Sequence, residues 1–429
     1  MKRAHLFIIL LFFLASCSQN RKERIPPWFP LDMIDSMRLG EAKIMRVGAD
    51  SLQTIDLSPF LHKKAEYILS DMIDTMIYIP LETKKESLMA HIDKIIATED
   101  RFFIMDSSNQ WDVFIFDAKG KFIAKIKEGG GPEEIGRPFD IAFDEQNQWL
   151  AVYSNPRKIT FFDKNGNFMK YMGMPLNFME FIILPENYLF FANGQSNHLA
   201  ALSNHDFQIY LTDKNFRIVS AGFPAFGPHK AGYTGNNLIS KYKDRIYVTQ
   251  PLNDTVFTLD NNGILTARYF LDFKGKGIPE KLKYKKLKHS KQEVLSYFQI
   301  LRENDFYYYD GGILENSTHQ VFTFNTVYEC DENQSRLYVL YRDKSSGKMA
   351  GGDHLYIKNE RDFVILNPVA PLAAYEDKFI SWTDPVWIDR KEWYKDSKYQ
   401  ALPKKSRAWL ENLDEDANPV LIMYKLNPL

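Results

Sequence analysis

Three tryptophans near the C-terminus are candidates for contact with a ligand. Trp382, Trp387 and Trp393 fall within twelve residues, with Tyr394 and Tyr399 beside them. Because sugars stack on exposed indole faces, the cluster would serve as a platform for a glycan. The alternative interpretation is that these rings pin C-terminal helices onto the body of the protein.

Carboxylates and histidines show no catalytic spacing. The acidic pairs Glu133-Glu134 and Glu376-Asp377 and the acidic run at 414–416 would suit acid–base chemistry only if they faced a common pocket, and they are expected in solvated loops. The histidines show no two-histidine metal spacing on a single element. We therefore expect no metal and no cofactor.

Cys17 is a candidate for covalent modification. The positive residues Lys2 and Arg3 precede an apolar run of nine residues at 6–14, and the sequence Leu-Ala-Ser then leads into Cys17. The run is a signal-peptide core, because a membrane helix needs about 20 apolar residues. The ending resembles the bacterial lipobox, which predicts cleavage before Cys17 and lipidation of its thiol. Two acyl chains are enough for a stable anchor in the lipid bilayer.

The residues after Cys17 bear on the compartment. Ser18 follows the cysteine, a pattern that resembles an outer-membrane address rather than retention in the inner membrane. Residues 21–24 are mostly basic, which favours the periplasmic leaflet over the cell surface. Cys330 is the only other cysteine, so no intrachain disulfide is expected in the mature protein.

Composition limits the classes of partner. The chain has 54 basic and 55 acidic residues and a formal net charge of −1, so nothing attracts nucleic acid or anionic lipid. Aromatic residues make up 14% of the sequence, which favours a β-rich soluble body. We expect a monomer whose partner is an envelope protein or a glycan.

The middle of the chain contains a repeated hairpin pattern. A strand-like run is followed by Asp-x-x-Gly and another run, with the aspartates at Asp117, Asp163, Asp213 and Asp260. In the third copy Phe216 stands in place of the glycine. An aspartate at the start of a turn can accept hydrogen bonds from the backbone that follows it, and the fourth position favours a positive φ. Each copy is therefore predicted to be a tight hairpin rather than a metal ligand.

The spacing of these hairpins predicts a propeller. The aspartates are 46, 50 and 47 residues apart, and further strand-like runs precede most of the hairpins. Four antiparallel strands in about 47 residues are typical of a propeller blade. A fifth unit near 337–347 and a sixth near 363–382 give an all-β, six-bladed β-propeller of four-stranded blades.

The predicted domain boundaries follow from this repeat. Residues 1–16 are the signal peptide, residues 17–53 a lipidated tether stiffened by prolines, and residues 54–429 the propeller. The region 274–291 is a polar, lysine-rich insertion, and a small helical insertion is expected at about 385–414. Removing residues 18–45 is expected only to shorten the tether.

The last strand-like run, residues 420–424, is expected to close the ring. An open propeller would leave two unpaired sheet edges. The closing run should therefore pair with a run from the N-terminal side, near Ile77 and Ile79, within one blade.

Several segments resemble a known family, the six-bladed β-propeller lipoproteins of Bacteroidetes. The segments are 78–83 (Tyr-Ile-Pro-Leu-Glu-Thr), 93–95 (Asp-Lys-Ile), 129–134 (Gly-Gly-Gly-Pro-Glu-Glu) and 418–421 (Asn-Pro-Val-Leu), and the similarity covers roughly 55–429. The resemblance implies the propeller fold and the lipid anchor. Members of this family mostly have no assigned activity, so the resemblance leaves function open.

Two functions remain open from the sequence alone. The first is a binding or scaffold module, since a propeller presents loops around a central channel. The alternative is a propeller-type hydrolase or lactonase, whose carboxylates would converge at the channel from separate blades, often around Ca²⁺. The absence of a catalytic pattern favours the binding module.

Overall fold

The residues that the computed structural model describes are 37–38, 41–48, 52–61, 66–68, 72–131, 133–155, 157–174, 177–192, 207–224, 237–285, 291–304, 306–327, 335–352, 354–356, 370–385, 414 and 416–429. Strands dominate these ranges. None of the helices within them is long and apolar enough to cross a membrane.

Five strands precede the first complete blade, and a short 3₁₀ helix (Ser58–Phe60) lies between the third and the fourth of them. The strands are β1 (Lys43–Ile44), β2 (Val47–Gly48), β3 (Gln53–Asp56), β4 (Glu66–Ile68) and β5 (Ile73–Pro80).

Blades 1 to 3 each consist of four consecutive antiparallel strands. Their bounds are β6 (Lys94–Ala97), β7 (Arg101–Asp106), β8 (Asp112–Asp117) and β9 (Phe122–Ile126) for blade 1; β10 (Pro138–Asp144), β11 (Trp149–Ser154), β12 (Lys158–Asp163) and β13 (Phe168–Gly173) for blade 2; and β14 (Glu180–Ile183), β15 (Asn187–Phe191), β16 (Phe207–Asp213) and β17 (Ile218–Pro224) for blade 3.

Blades 4 and 5 repeat this arrangement, and two helices separate them. The elements are β18 (Ile239–Tyr242), β19 (Arg245–Thr249), β20 (Thr255–Leu259) and β21 (Leu265–Asp272) for blade 4; the helices α1 (Glu280–Lys283) and α2 (Lys291–Glu303); and β22 (Tyr307–Glu315), β23 (His319–Val327), β24 (Ser335–Asp343) and β25 (Met349–Gly352) for blade 5, followed by β26 (His354–Tyr356).

Blade 6 combines both ends of the chain. Its strands β27 (Ala373–Tyr375), β28 (Lys378–Thr383) and β29 (Val420–Leu426) are completed by β5 as the outer strand. In β29, Leu421 lies opposite Ile79 and Met423 opposite Ile77. The predicted closure between the last strand and the N-terminal side is therefore confirmed.

The innermost strands contact one another in a closed ring, in the order β6, β10, β14, β18, β22, β27 and back to β6. Six four-stranded sheets around one axis make the molecule a six-bladed β-propeller. The predicted fold class is confirmed. The predicted helical insertion at about 385–414 lies almost entirely outside the described residues.

Both faces of each blade are buried, because each blade packs between two neighbours. In blade 1, Phe103 and Ile115 belong to the apolar core shared with blade 2, whereas Ile104 and Phe114 belong to the core shared with blade 6. Alternate residues of a strand point to opposite faces. Two buried faces therefore explain why the middle strands read as unbroken apolar runs in the sequence.

The predicted hairpin turns are present at all four aspartates. In each, one carboxylate oxygen accepts the backbone N–H groups two and four residues further on, at 2.8–2.9 Å. The fourth position has a positive φ in every copy, including Phe216 at 62°. Phe216 tolerates this conformation because its buried ring packs against Tyr188 and Phe190 in the core between blades 2 and 3. The turn interpretation of these aspartates is confirmed.

The outer edges of blades 3 and 4 are covered by an N-terminal edge segment, which we define as residues 37–68. Its strand β1 pairs in parallel with β17, and both β2 and β3 pair in parallel with β21. An outer strand leaves a row of unpaired backbone groups at its edge, and an added strand satisfies them. Further along, β4 pairs in parallel with β26.

Part of the predicted tether is therefore attached to the propeller. Met37 and Met45 are buried in the cores around blade 3. Met45 approaches so closely that a Cβ on Gly222 would lie 2.8 Å from its sulfur. Removing residues 18–45 would also remove Met37, Met45 and β1, which pack on the propeller. The expectation that this deletion only shortens a tether is therefore wrong. Residues 17–36 of the predicted tether lie outside the described part of the chain.

The helices α1 and α2 lie between blades 4 and 5; α1 falls within the lysine-rich insertion at 274–291, and α2 begins at its last residue. Tyr297 and Leu301 of α2 are buried against Leu252, Ile278 and Tyr308. A small apolar core therefore attaches α2 to blades 4 and 5.

Candidate functional site

Two cavities lie along the central axis. The broad cavity, of about 1220 Å³, is bordered by the turns that connect the first and second strands of the blades. The narrow cavity, of about 380 Å³, lies towards the opposite end of the inner strands. Lys94, Asn237, Leu314 and Leu372 line both cavities, so the two meet at the level of these side chains.

Three charged side chains from consecutive blades converge on the axis. Lys94 on β6 donates to Asp140 on β10 at 2.5 Å, and Asp140 also accepts the backbone N–H of Phe181 at 2.8 Å. Glu180 on β14 accepts the backbone N–H of Ile239 on blade 4 at 3.1 Å. These bonds link blades 1 to 4 around one side of the channel. The three residues Lys94, Asp140 and Glu180 are named the axial triad below.

Burial is the largest influence on the pKa values of the two acids in the axial triad. It raises the pKa of Asp140, although the neighbouring Lys94 ammonium opposes this. Burial likewise raises the pKa of Glu180 to about 7; the charge of Lys94 counteracts the shift and that of Asp140 adds to it. Two carboxylates against one ammonium leave Glu180 poised to change charge near neutral pH.

A second polar cluster lies beside the broad cavity, between blades 4 and 5. The buried carboxylate of Glu315 accepts from Lys344 at 2.6 Å, from Arg245 at 3.1 Å, from Gln320 at 3.1 Å and from Tyr247. Burial opposes ionisation of Glu315, but the hydrogen bonds from Lys344, Tyr247 and Gln320 outweigh it and hold its pKa below the usual value. Glu315 is therefore an ionised link between two blades.

The rim of the broad cavity is aromatic and charged. The ring of Tyr242 lies 4.5 Å from the ammonium of Lys344 and 5.5 Å from that of Lys243. Side chains of both signs line the rest of the cavity, among them Lys241 and Glu145, which form an ion pair at 2.9 Å. Such a surface can offer hydrogen bonds and ring stacking to a polar ligand.

Of the candidate site residues from the sequence, Trp382 is the one within the described residues, and it lines neither axial cavity. Trp382 is only 3% exposed and belongs to the core between blades 6 and 1, where its ring meets His91 edge-on at 5.2 Å. Trp387, Trp393 and Cys17 lie outside the described residues, so the glycan platform and the lipidation site stay predictions.

The axial triad was missed because its members lie in three different blades. One signal was present in the sequence: a charged residue lies within the first three positions of the inner strand in three successive repeats, directly before apolar residues. Aligning the repeats would have placed these charges around one axis. Asp140 and Glu180 of the axial triad do converge at the channel. Among the described residues there is no group of three or more His, Cys, Asp or Glu that could hold a metal ion.

A solved bacterial structure supports the architecture. A protein of Bacteroides fragilis that is described as exported superimposes with a TM-score of 0.69 and 16% sequence identity, over 88% of this chain and 100% of the other. This similarity demonstrates a shared fold. The WD40 repeats of RRP9 give a TM-score of 0.40 at 8% identity, over 82% of this chain and 97% of the other. BamB from Moraxella catarrhalis gives 0.34 at 9% identity, over 64% and 77%.

Sequence comparison identifies the family to which the chain belongs. No curated protein matches the chain significantly. The family model for the domain of unknown function DUF4934 matches residues 52–425, which include all six blades. The chain therefore belongs to the DUF4934 family.

Proposed function

We propose that this protein is an exported lipoprotein that binds a ligand or partner protein at its central channel. The observation that carries the proposal is the broad axial cavity of about 1220 Å³, whose wall combines Tyr242 and Tyr375 with charges of both signs. A rigid ring of blades holds these side chains in place, as a binding site requires. Export is supported by the leader before Cys17 and by the exported description of the Bacteroides fragilis protein.

The anchor in this proposal is a lipid on Cys17, in the outer membrane and on its periplasmic side. Replacing Cys17 by serine is expected to move the protein from the detergent phase to the aqueous phase in a phase-partition assay, because the acyl chains supply the membrane affinity. The variant Cys330→Ser is the matched control and should remain membrane-bound. Protease added to intact cells is expected to leave the wild type uncut. A Cys17→Ser protein that still partitions with detergent would overturn the anchor.

Ligand binding at the broad cavity can be tested with the full mature chain, produced without its lipid. We expect binding to a subset of glycans on an array, or to an envelope protein captured by cross-linking. Tyr242→Ala should weaken that binding about tenfold or more, since truncation of a central aromatic contact has effects of this size. Tyr171→Ala is the control, because Tyr171 is 57% exposed on the outer strand of blade 2. Equal binding by both variants would place the ligand elsewhere.

A further inference from the structure

The narrow cavity combines acidic and apolar side chains. Asp93, Asp140 and Glu180 line it together with Lys94. The rest of its lining is largely apolar, and Phe139 and Leu337 are exposed large side chains within it. The described wall alone is suited to a molecule with one cationic end and an apolar body.

Glu180 differs from the other two acids in its partners. Asp93 accepts hydrogen bonds from the backbone and side chain of Ser107 and from the side chain of Ser108. Asp140 is paired with Lys94 and with a backbone N–H. Glu180 accepts the backbone N–H groups of Ile239, at 3.1 Å, and of Leu238, and it forms no ion pair with any described residue. The cavity wall therefore holds three carboxylates against one ammonium group, and Glu180 is the carboxylate of the axial triad that no described cation pairs with.

The charged groups around Glu180 come from two neighbouring strands. Lys94 on β6 and Asp140 on β10 are the two that act on its charge. Asp93 precedes β6 on the same cavity wall. The adjoining strand β15 carries no charged residue, and blade 4 contributes the backbone N–H groups of Leu238 and Ile239. Burial raises the pKa of Glu180 to about 7, and the charge of Lys94 offsets this rise only in part.

We propose that the narrow cavity binds a primary ammonium group carried on an apolar chain, with Glu180 as its counter-ion. This inference rests on the proposed function, in which the channel is the binding site. The ammonium would supply a second positive charge beside that of Lys94, facing Glu180, and its apolar chain would lie along Leu314, Leu337 and Phe139. A divalent metal is disfavoured because Lys94 already places an ammonium on Asp140. An anion would meet three carboxylates and a single ammonium group.

Binding of this kind is coupled to a proton. The ammonium binds ionised Glu180, whereas a proton occupies that carboxylate below about pH 7. Affinity should therefore be constant well above pH 7 and should fall by up to about tenfold for each pH unit below it. Binding near pH 7 should release a proton to the buffer.

The probe is n-hexylamine, which stays protonated in this pH range, titrated calorimetrically into the full mature chain produced without its lipid. We expect binding at pH 8, weaker binding at pH 5.5, and none for the neutral n-hexanol. Glu180→Gln keeps an acceptor for the Ile239 N–H and should weaken binding about ten- to a hundredfold, the range for a lost charge-assisted hydrogen bond. Glu186→Gln is the matched control, because Glu186 is exposed in the same β14–β15 hairpin.

Several outcomes would overturn the inference. They are undetectable n-hexylamine binding, equal binding of n-hexanol, affinity that rises as the pH falls, or an unchanged affinity in Glu180→Gln. If Glu180→Gln does not fold, the pH dependence of the wild type decides. Ligand binding that is sensitive to Tyr242→Ala without n-hexylamine binding would refute this inference and leave the proposed function standing. Loss of both would refute the two together.

Discussion

Deletion of residues 418–429 is expected to abolish folding of the propeller. The strand β29 lies between β28 and β5, so its loss separates the outer strand of blade 6 from the remaining two. Val420, Leu421 and Ile422 are fully buried. Burying one such side chain stabilises a protein by about 1.5–3 kcal/mol, and several together approach the typical net stability of about 5–15 kcal/mol.

The closing strand also positions the chain that leads into blade 1. Asn418 donates to the backbone carbonyls of Glu82 and Ser87 and accepts the backbone N–H of Met89. At the other end of β29, the hydroxyls of Tyr424 and Tyr341 are 2.7 Å apart in the core between blades 5 and 6. Loss of residues 418–429 therefore affects both neighbours of blade 6.

A pair of point variants separates packing from simple shortening of the chain. Ile422→Ala should lower the free energy of unfolding by about 2–5 kcal/mol, because Ile422 is fully buried between blades 5 and 6. Ile77→Ala is the control in the paired strand β5; Ile77 is 46% exposed, so a much smaller change is expected. Urea unfolding followed by tryptophan fluorescence measures both. A soluble deletion protein that unfolds cooperatively would contradict the closure argument.

The fold was predictable because its determinants are local. Asp117 and Gly120 define a hairpin through bonds within five residues, and copies of that pattern recur at a blade-length period. Buried strands such as β8 carry apolar residues on both faces, which is visible without any knowledge of the neighbours. Closure then followed from the cost of an open sheet edge.

The edge segment was not predictable in the same way. Its strands β1 and β2 are two residues long and have exposed side chains, so they carry no apolar alternation. What holds them is the unpaired edge of β17 and β21, which lie far away in sequence. The axial triad was missed for a related reason. Each of Lys94, Asp140 and Glu180 is an isolated charge in its own blade, and the three come together only when the blades are arranged in a ring.

The buried carboxylate of Glu315 is expected to be among the largest single-residue contributors to stability. Glu315→Gln preserves the shape of the side chain but removes the charge that Arg245 and Lys344 share. Removing one partner of a buried ion pair typically costs about 3–5 kcal/mol. Arg245 is 43% exposed and can regain water, so we expect a loss in the free energy of unfolding of about 3 kcal/mol, at the low end of that range.

The pH dependence gives this prediction a second, independent signature. The pKa of Glu315 is lower in the folded protein than its usual value, so its ionised form stabilises the fold. That stabilisation is complete above the unfolded-state pKa of about 4.3 and is lost as the pH falls through the folded-state value. The difference between the wild type and Glu315→Gln should therefore be largest at neutral pH and should shrink in acid.

Glu145→Gln is the matched control for Glu315→Gln. Glu145 also pairs with a lysine, Lys241, at 2.9 Å, but its side chain is 73% exposed. Exposed pairs contribute about 0–1 kcal/mol, so this variant should unfold almost as the wild type does at every pH. If urea unfolding showed the two variants to be equally stable, Glu315 would not be the ionised link between blades 4 and 5. Its hydrogen bonds to Tyr247 and Gln320 would then have to persist equally well with a neutral amide in its place.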